Sequence, residues 1–237
     1  MRLLLTRPEP EGERTAALLR ACGHSAVIAP LLRIELVANA ELGEGPWAAI
    51  LVTSANAARA IAAHGRVAEL FGLPVLAVGD RSAEAMREAG FAEVCSAGGG
   101  ANDLTRLAAE RLERAASVLY LAGADRSGDI AADLSAQNFQ VRTVVIYRAV
   151  AAAVLPAAAA EALAGELDGV LHFSRRSVEA YLKLTRNAGL LHPALHKPVH
   201  FCLSARVAEP LRRAGATDIR IAAQPDEAAL LALIPAP

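Results

Sequence analysis

Short apolar runs recur along this chain, each closed by a few small polar residues and followed by a segment with helical spacing. The clearest case is AILVTSANAARAIAA, residues 49–63. Ile50, Leu51 and Val52 form a buried strand, Thr53, Ser54, Ala55 and Asn56 a tight turn, and the alanine-rich remainder a helix over 56–63 opened by a side-chain cap. The first amides of a helix have no partner within it, so such a turn offers N–H donors and the positive end of the helix dipole to an anion. The same pattern returns in GVLHFSRRSVEAYLKL, with Ser174, Arg175, Arg176 and Ser177 in the turn, 120 residues after the first.

From the N-terminus, residues 2–6 read as a short strand, Thr6-Arg7-Pro8 as a turn, and the stretch through Arg14 to Ala21 as a helix ended by Gly23. SAVIAPLLRIELV adds a strand, Pro30 and a second extended run, and GEGPW is a turn before the strand at 49–52. LPVLAVGDRSAEAMREAGF then supplies a strand ending at Gly79, a turn with Asp80, Arg81 and Ser82, and a helix closed by Gly90. After SAGGGAND comes a helix at 104–114 capped by Asn102 or Asp103. ASVLYLAGADRSGDIAADLSAQNFQVRTVVIYRAV repeats the strand, turn, helix and strand of the N-terminus, at an offset of 115. The alanine-rich region 151–165 reads as linker and helix, and VHFCLSARVAEPLRRAG answers LPVLAVGDRSAEAMREAG at an offset of 125. Alternating strands and helices imply parallel sheets with helical crossovers. Three unit types, each used twice, predict an internally duplicated α/β protein.

Length admits two lobes, each with its own core, because the chain has 237 residues. With 24 basic and 25 acidic residues the net charge is −1, so neither nucleic acid nor an anionic membrane is attracted in bulk. An anionic ligand must be held by local groups. Cys22, Cys95 and Cys202 are scattered and form no CxxC, which points to reduced thiols in the cytoplasm rather than a disulfide framework or a thiolate zinc site. The opening MRLLLTRPEPEGER is too briefly apolar for a signal segment, and no charge-free apolar stretch nears the length of a membrane span. A soluble, unexported protein is expected.

Candidate chemistry is dispersed. His192, His196 and His200 have helical spacing suited to a metal, but Pro193 and Pro198 interrupt the helix and no carboxylate cluster supports them, so no metal is expected. His172 lies in an apolar strand and reads as a hydrogen-bonded core residue. Ser54 and Ser174 have no GxSxG context, and the triple glycine at 98–100 lacks the spacing of a phosphate loop and reads as a turn. What recurs is a strand end followed by hydroxyls, small residues or arginines. It occurs at Thr6-Arg7, at Thr53 to Asn56, at Gly79 to Ser82, at Gly123 to Ser127, at Ser174 to Ser177, and at Ser204 to Arg206. Ligands of open α/β sheets bind outside the carboxyl ends of the strands. Six such turns on two lobes suit a ligand with many carboxylates, although each alone is equally a plain helix cap.

The ordered set LLLTRP, AILVTSANAAR, VLAVGDRSAEAMREAGF, LYLAGADR, VIYRAV, GVLHFSRRSVEAYL and ARVAEPLRRAGA resembles the uroporphyrinogen-III synthase family from end to end. The resemblance implies two doubly wound parallel-sheet lobes joined by a two-stranded β-ladder. Lobe one would comprise 1–33 plus 151–237 and lobe two 36–146, with ladder strands at about 31–37 and 144–150. It implies a substrate, hydroxymethylbilane, with eight carboxylates, closed to uroporphyrinogen III with ring D inverted and without metal or cofactor. Loss of the hydroxymethyl oxygen as water leaves an azafulvenium. The substituted carbon of ring D attacks it, and the resulting spiro-pyrrolenine fragments and recloses. Tyr147 of VVIYRAV matches a family tyrosine facing the cleft, which makes it the candidate proton or hydrogen-bond donor to the leaving hydroxyl. A ladder tyrosine packed with its hydroxyl at the rim is the structural alternative.

Among expected substrate contacts, Thr53, Ser54, Ser82 and Ser174 match family positions, and the strand-end turns add Arg7, Ala55, Asn56, Gly79, Gly123, Arg126, Arg175, Arg176, Ser177 and Ser204. Ser204, Arg206 and Val207 depart from the glycine and threonines common at that turn. The expected protein is a monomeric, cytoplasmic cyclising hydro-lyase of heme biosynthesis, contacting no nucleic acid or membrane and at most transiently the preceding enzyme. The rival readings are a non-catalytic bilobal binding protein or sensor for an anionic small molecule, and a two-lobed nucleotide-sugar transferase, which the missing glycine-rich nucleotide loop weakens.

Overall fold

The computed structural model describes residues 1–125 and 128–236. In chain order they form β1 (Arg2–Leu5), α1 (Glu11–Ala21), β2 (Ser25–Ile28), β3 (Leu32–Leu36), β4 (Ala49–Val52) and α2 (Ala55–Ala62). After a short 3-10 turn come β5 (Val75–Ala77), α3 (Asp80–Glu88), β6 (Val94–Ser96), α4 (Ala101–Arg111), β7 (Ser117–Gly123), α5 (Ile130–Ala136) and β8 (Gln140–Ala151). The remainder is α6 (Ala157–Ala164), β9 (Gly169–His172), α7 (Arg175–Asn187), α8 (Leu191–His196), β10 (Val199–Cys202), α9 (Ala205–Ala214), β11 (Ile219–Ile221) and α10 (Glu227–Leu231). The chain divides into one unit of Met1–Arg33 with Val150–Pro237 and a second of Ile34–Ala149.

The first unit carries a five-stranded sheet of order β11-β10-β9-β1-β2, parallel at every pairing. β1 is an inner strand, between β2 and β9, although β9 lies far along the chain, with Leu3 opposite Gly169 and Leu5 opposite Leu171. Successive strand side chains point to opposite faces. Leu3, Leu5, Leu171 and Phe201 therefore pack on one side with Leu19 of α1, Leu230 of α10 and Ile234 just beyond it. On β9 and β10 two fully buried histidines meet, with His172 Nε2 3.1 Å from His200 Nδ1, and Tyr181 of α7 packs edge-on against His172. His172 is thus the hydrogen-bonded core residue expected, whereas His200 sits in a strand, apart from the α8 helix that carries His192 and His196.

The second unit carries a six-stranded sheet of order β3-β8-β7-β4-β5-β6. The pairings from β8 to β6 are parallel. β3 runs antiparallel to β8, because Val37 N–H donates to the Ile146 carbonyl (2.8 Å) and Ala152 N–H to that of Leu31 (2.9 Å). This pair is the ladder the resemblance implied. Ile50, Val52, Ala77 and Leu119 face α2 and α3 through Ala57, Ile61, Ala83 and Met86. Ala49, Leu51, Leu76 and Val118 face α4 and α5 through Leu104, Ala108, Ile130 and Leu134. Helices on both faces of a mostly parallel sheet make the unit doubly wound. α4 starts three residues before the expected position, with Gly100 at its N-cap and the Asp103 carboxylate reaching back to accept the Gly100 N–H (3.1 Å).

Candidate active site

Where β4 gives way to α2, the polypeptide must satisfy the opening amides of the helix. Ser54 caps it, its hydroxyl oxygen accepting from Asn56 N–H at 3.2 Å. Immediately before the cap, Thr53 Oγ1 lies 3.2 Å from the hydroxyl of Tyr120 on the neighbouring strand β7. At the end of β7 the pairing with β8 slips between Ala122 and Gly123, which sets Gly123 opposite Tyr147. Ala124 N–H then donates to the Tyr147 carbonyl at 2.9 Å. Gly123 is needed there because a Cβ at that position would stand 2.7 Å from Tyr147 Cζ. The tyrosine ring lies over bare backbone.

These residues line one cavity of about 350 Å3, shared by Thr53, Tyr120, Gly123, Asp125, Tyr147 and Gly99. Gly99 brings in the glycine run read above as a turn, and its φ of +137° is one that side chains rarely adopt. Burial pushes the Tyr147 phenol above the ordinary tyrosine range. The Ser54 hydroxyl draws it part of the way back, and Tyr120 pushes it up again. At neutral pH the phenol carries its proton, as an unshifted tyrosine also would, and can donate a hydrogen bond.

Of the expected site residues in this unit, Thr53, Gly123 and Tyr147 line the cavity. Ala55 and Asn56 open α2, and the Asn56 side chain accepts from Arg59 at 2.6 Å. Gly79 caps α3, in which Ser82 is buried in the first turn. Arg126 lies outside the described residues. Tyr120 was missed, because within LYLAG it reads as one more large strand residue.

In the first unit the corresponding junction is the cap of α7. Ser174 Oγ accepts from Ser177 N–H at 3.1 Å, and the two hydroxyls are 2.7 Å apart. Arg175 pairs with Glu179 and Glu209, and Arg176 is the second residue of the helix. Ser204 caps α9 by accepting from Val207 N–H. Arg7 is engaged within the unit: it bonds Glu227 at 2.8 Å and Thr15 at 3.0 Å, and lies 4.0 Å from the Phe173 ring centroid.

The strand order of one unit maps onto that of the other, with β9, β10, β11, β1 and β2 answering β4, β5, β6, β7 and β8. Two units of matching strand order, with hydroxyl-capped turns at strand ends, place the protein among internally duplicated α/β proteins. Within that class, the chain belongs to the uroporphyrinogen-III synthase HemD family, whose model matches residues 13–232. The fold is that of uroporphyrinogen-III synthetase from Helicobacter pylori, at 18% identity over 98% of both chains and a TM-score of 0.67. A mutant uroporphyrinogen III synthase from Thermus thermophilus is similar too, at 18% identity over 98% of this chain and 96% of the other, with a TM-score of 0.55. No curated protein matches the sequence significantly. Family membership makes the chain an enzyme of porphyrin and heme biosynthesis that forms uroporphyrinogen III. No helix among the described residues is long and apolar enough to cross a membrane.

Proposed function

We propose that the chain is a cyclising hydro-lyase, that Tyr147 supplies the proton that lets the hydroxymethyl oxygen leave as water, and that the turn residues of each unit hold substrate carboxylates. The observation that carries this is the seat of Tyr147, laid over Gly123 on the wall of the cavity. A positioned acid of this kind contributes roughly 10²- to 10⁴-fold. Water loss generates the azafulvenium, and the proton later lost from the formerly free ring carbon balances the one donated. The remaining task is to hold the linear chain so that only the substituted ring carbon reaches the cation, since unguided closure gives the type I isomer.

Opening amides of α2, α7 and α9, with Ser54, Ala55, Asn56, Ser174, Arg175, Arg176, Ser177 and Ser204 at or near their caps, are suited to carboxylates because helix N-termini favour anions. Gly79, at the cap of α3, extends the set, and Arg126 joins it on the sequence alone, lying outside the described residues. Arg7 and Ser82, bonded or buried within their own units, enter as supports of their turns. We take the protein to be a cytoplasmic monomer needing no metal or cofactor. Family membership favours this over a silent binding protein.

The test is to supply freshly generated hydroxymethylbilane to purified, chelator-treated protein and measure type III against type I uroporphyrin after oxidation. Predominantly type III is expected. Tyr147→Phe is expected to lower turnover about tenfold or more, further than loss of the hydroxyl at Thr53, Ser82 or Ser174. Equal rates for Tyr147→Phe and wild type would remove the proton-donor role.

A further inference from the structure

We propose that Tyr120 is a positioning residue for this reaction: by donating to Thr53 Oγ1 it turns the Thr53 hydroxyl proton into the cavity, toward an acceptor oxygen of the substrate. The inference rests on the reading that the cavity beside Tyr147 is where substrate reacts. Tyr120 is 3% exposed and its ring belongs to the apolar layer of β7 with Val118 and Ala122, so its hydroxyl is held rather than free to rotate into solvent. The partner within reach is Thr53 Oγ1, at 3.2 Å. A phenol is a far stronger acid than an alkyl alcohol, and an alkyl hydroxyl is the better acceptor, so the favoured direction is Tyr120 to Thr53. Once its oxygen accepts, Thr53 retains one proton to give, and Thr53 lines the cavity. Successive hydroxyls polarise one another, making the terminal donor stronger than an isolated threonine. Such a donor suits a negatively charged or departing oxygen in a chain with almost no net charge.

Two substrate oxygens have the required chemistry: a side-chain carboxylate and the leaving hydroxyl. The experiment compares Tyr120→Phe, Thr53→Val, Thr53→Ser, the pairs of Tyr120→Phe with each Thr53 variant, and Tyr147→Phe. kcat, KM and the type III fraction are measured at a temperature where circular dichroism shows every variant folded. Tyr120→Phe is expected to lower kcat/KM by about three- to tenfold, the worth of one hydrogen bond. That loss should persist in the Thr53→Ser background, where a hydroxyl remains, and vanish in Thr53→Val. A change confined to KM assigns the contact to a bound carboxylate. A fall in kcat with a lower type III fraction assigns it to the departing hydroxyl. Tyr120→Phe within twofold of wild type, or an equal loss with and without the Thr53 hydroxyl, overturns the proposal. Tyr147→Phe keeps the two readings apart: if it alone is impaired, Tyr120 has no such role, and if the coupled loss appears while Tyr147→Phe is unimpaired, only the proton-donor assignment falls.

Discussion

Gly123→Ala probes the site through a single methyl group. The added Cβ would lie 2.7 Å from Tyr147 Cζ and 2.8 Å from both Cε2 and the hydroxyl oxygen. Carbon atoms pack best at about 3.5–4.0 Å, so the ring must retreat by about 1 Å. It cannot do so by moving the strand freely, because the Ala124 N–H to Tyr147 carbonyl bond ties the two backbones at that point. Overpacking of this kind costs about 1–3 kcal/mol, which for a chain of this size lowers the thermal midpoint by roughly 2–10 °C. The functional cost is larger, since a displacement of about 1 Å at a reacting group can cost about 10²-fold. Expected, then, is a protein that folds, melts slightly earlier and turns over hydroxymethylbilane about a hundredfold more slowly, with Gly65→Ala, whose Cβ meets nothing within 4 Å, as control. The assays are thermal melting by circular dichroism and single-time-point porphyrin analysis. Wild-type turnover in Gly123→Ala would show that the seat of Tyr147 is not where the chemistry is set.

Two further outcomes concern the first unit. Burial holds the proton affinity of His172 well below the usual histidine range and brings His200 down to about 4, against the carbonyls of Leu195 and Ala194 and the charge of Asp218. Both rings bind protons less readily folded than unfolded, so their contribution is complete above the unfolded value of about 6.5 and is lost as pH falls, that of His200 as pH approaches about 4. His200 alone should cost about 2 kcal/mol between pH 7 and pH 5, read from urea midpoints, and a flat profile would contradict the burial argument. Glu227 holds Arg7, Arg14 and Thr15 together, and its side chain is 19% exposed against 13% for Arg7. Glu227→Gln should therefore destabilise by about 1–3 kcal/mol, because it strips the counter-charge from a largely buried guanidinium. Arg14→Ala, at a side chain 47% exposed, should cost under about 1 kcal/mol.

Local grammar was legible from residue order wherever a strand, a cap and a helix follow one another without interruption. AILVTSANAARAIAA and GVLHFSRRSVEAYLKL became β4–α2 and β9–α7, with Ser54 and Ser174 at the caps. The offsets of 115, 120 and 125 joined segments that occupy equivalent places in the two sheets. What stayed hidden depends on which strands become neighbours. β4 and β7 are far apart in sequence, so nothing in TSANA or LYLAG announces that Thr53 and Tyr120 share a hydrogen bond. The slip in pairing that sets Tyr147 over Gly123 is likewise a property of the assembled sheet. The glycine run, read as a turn, is a bend at Gly99 running into the Gly100 cap of α4, and its place on the cavity wall follows from the β5–β6 edge rather than from the residues themselves.

The inner place of β1, between β2 and β9, has a consequence for synthesis. Leu3, Leu4 and Leu5 are made well before the strand that pairs with them on one side, β9, which follows all of Ile34–Ala149. Closing so long a loop in a flexible chain costs about 4 kcal/mol. Once the intervening unit is folded, β3 and β8 pair, so the chain leaves that unit beside the point at which it entered. Translation order and energetics then agree: Ile34–Ala149 can mature first and bring its flanking segments together, and until it does, the β9-facing edge of β1 stays unpaired.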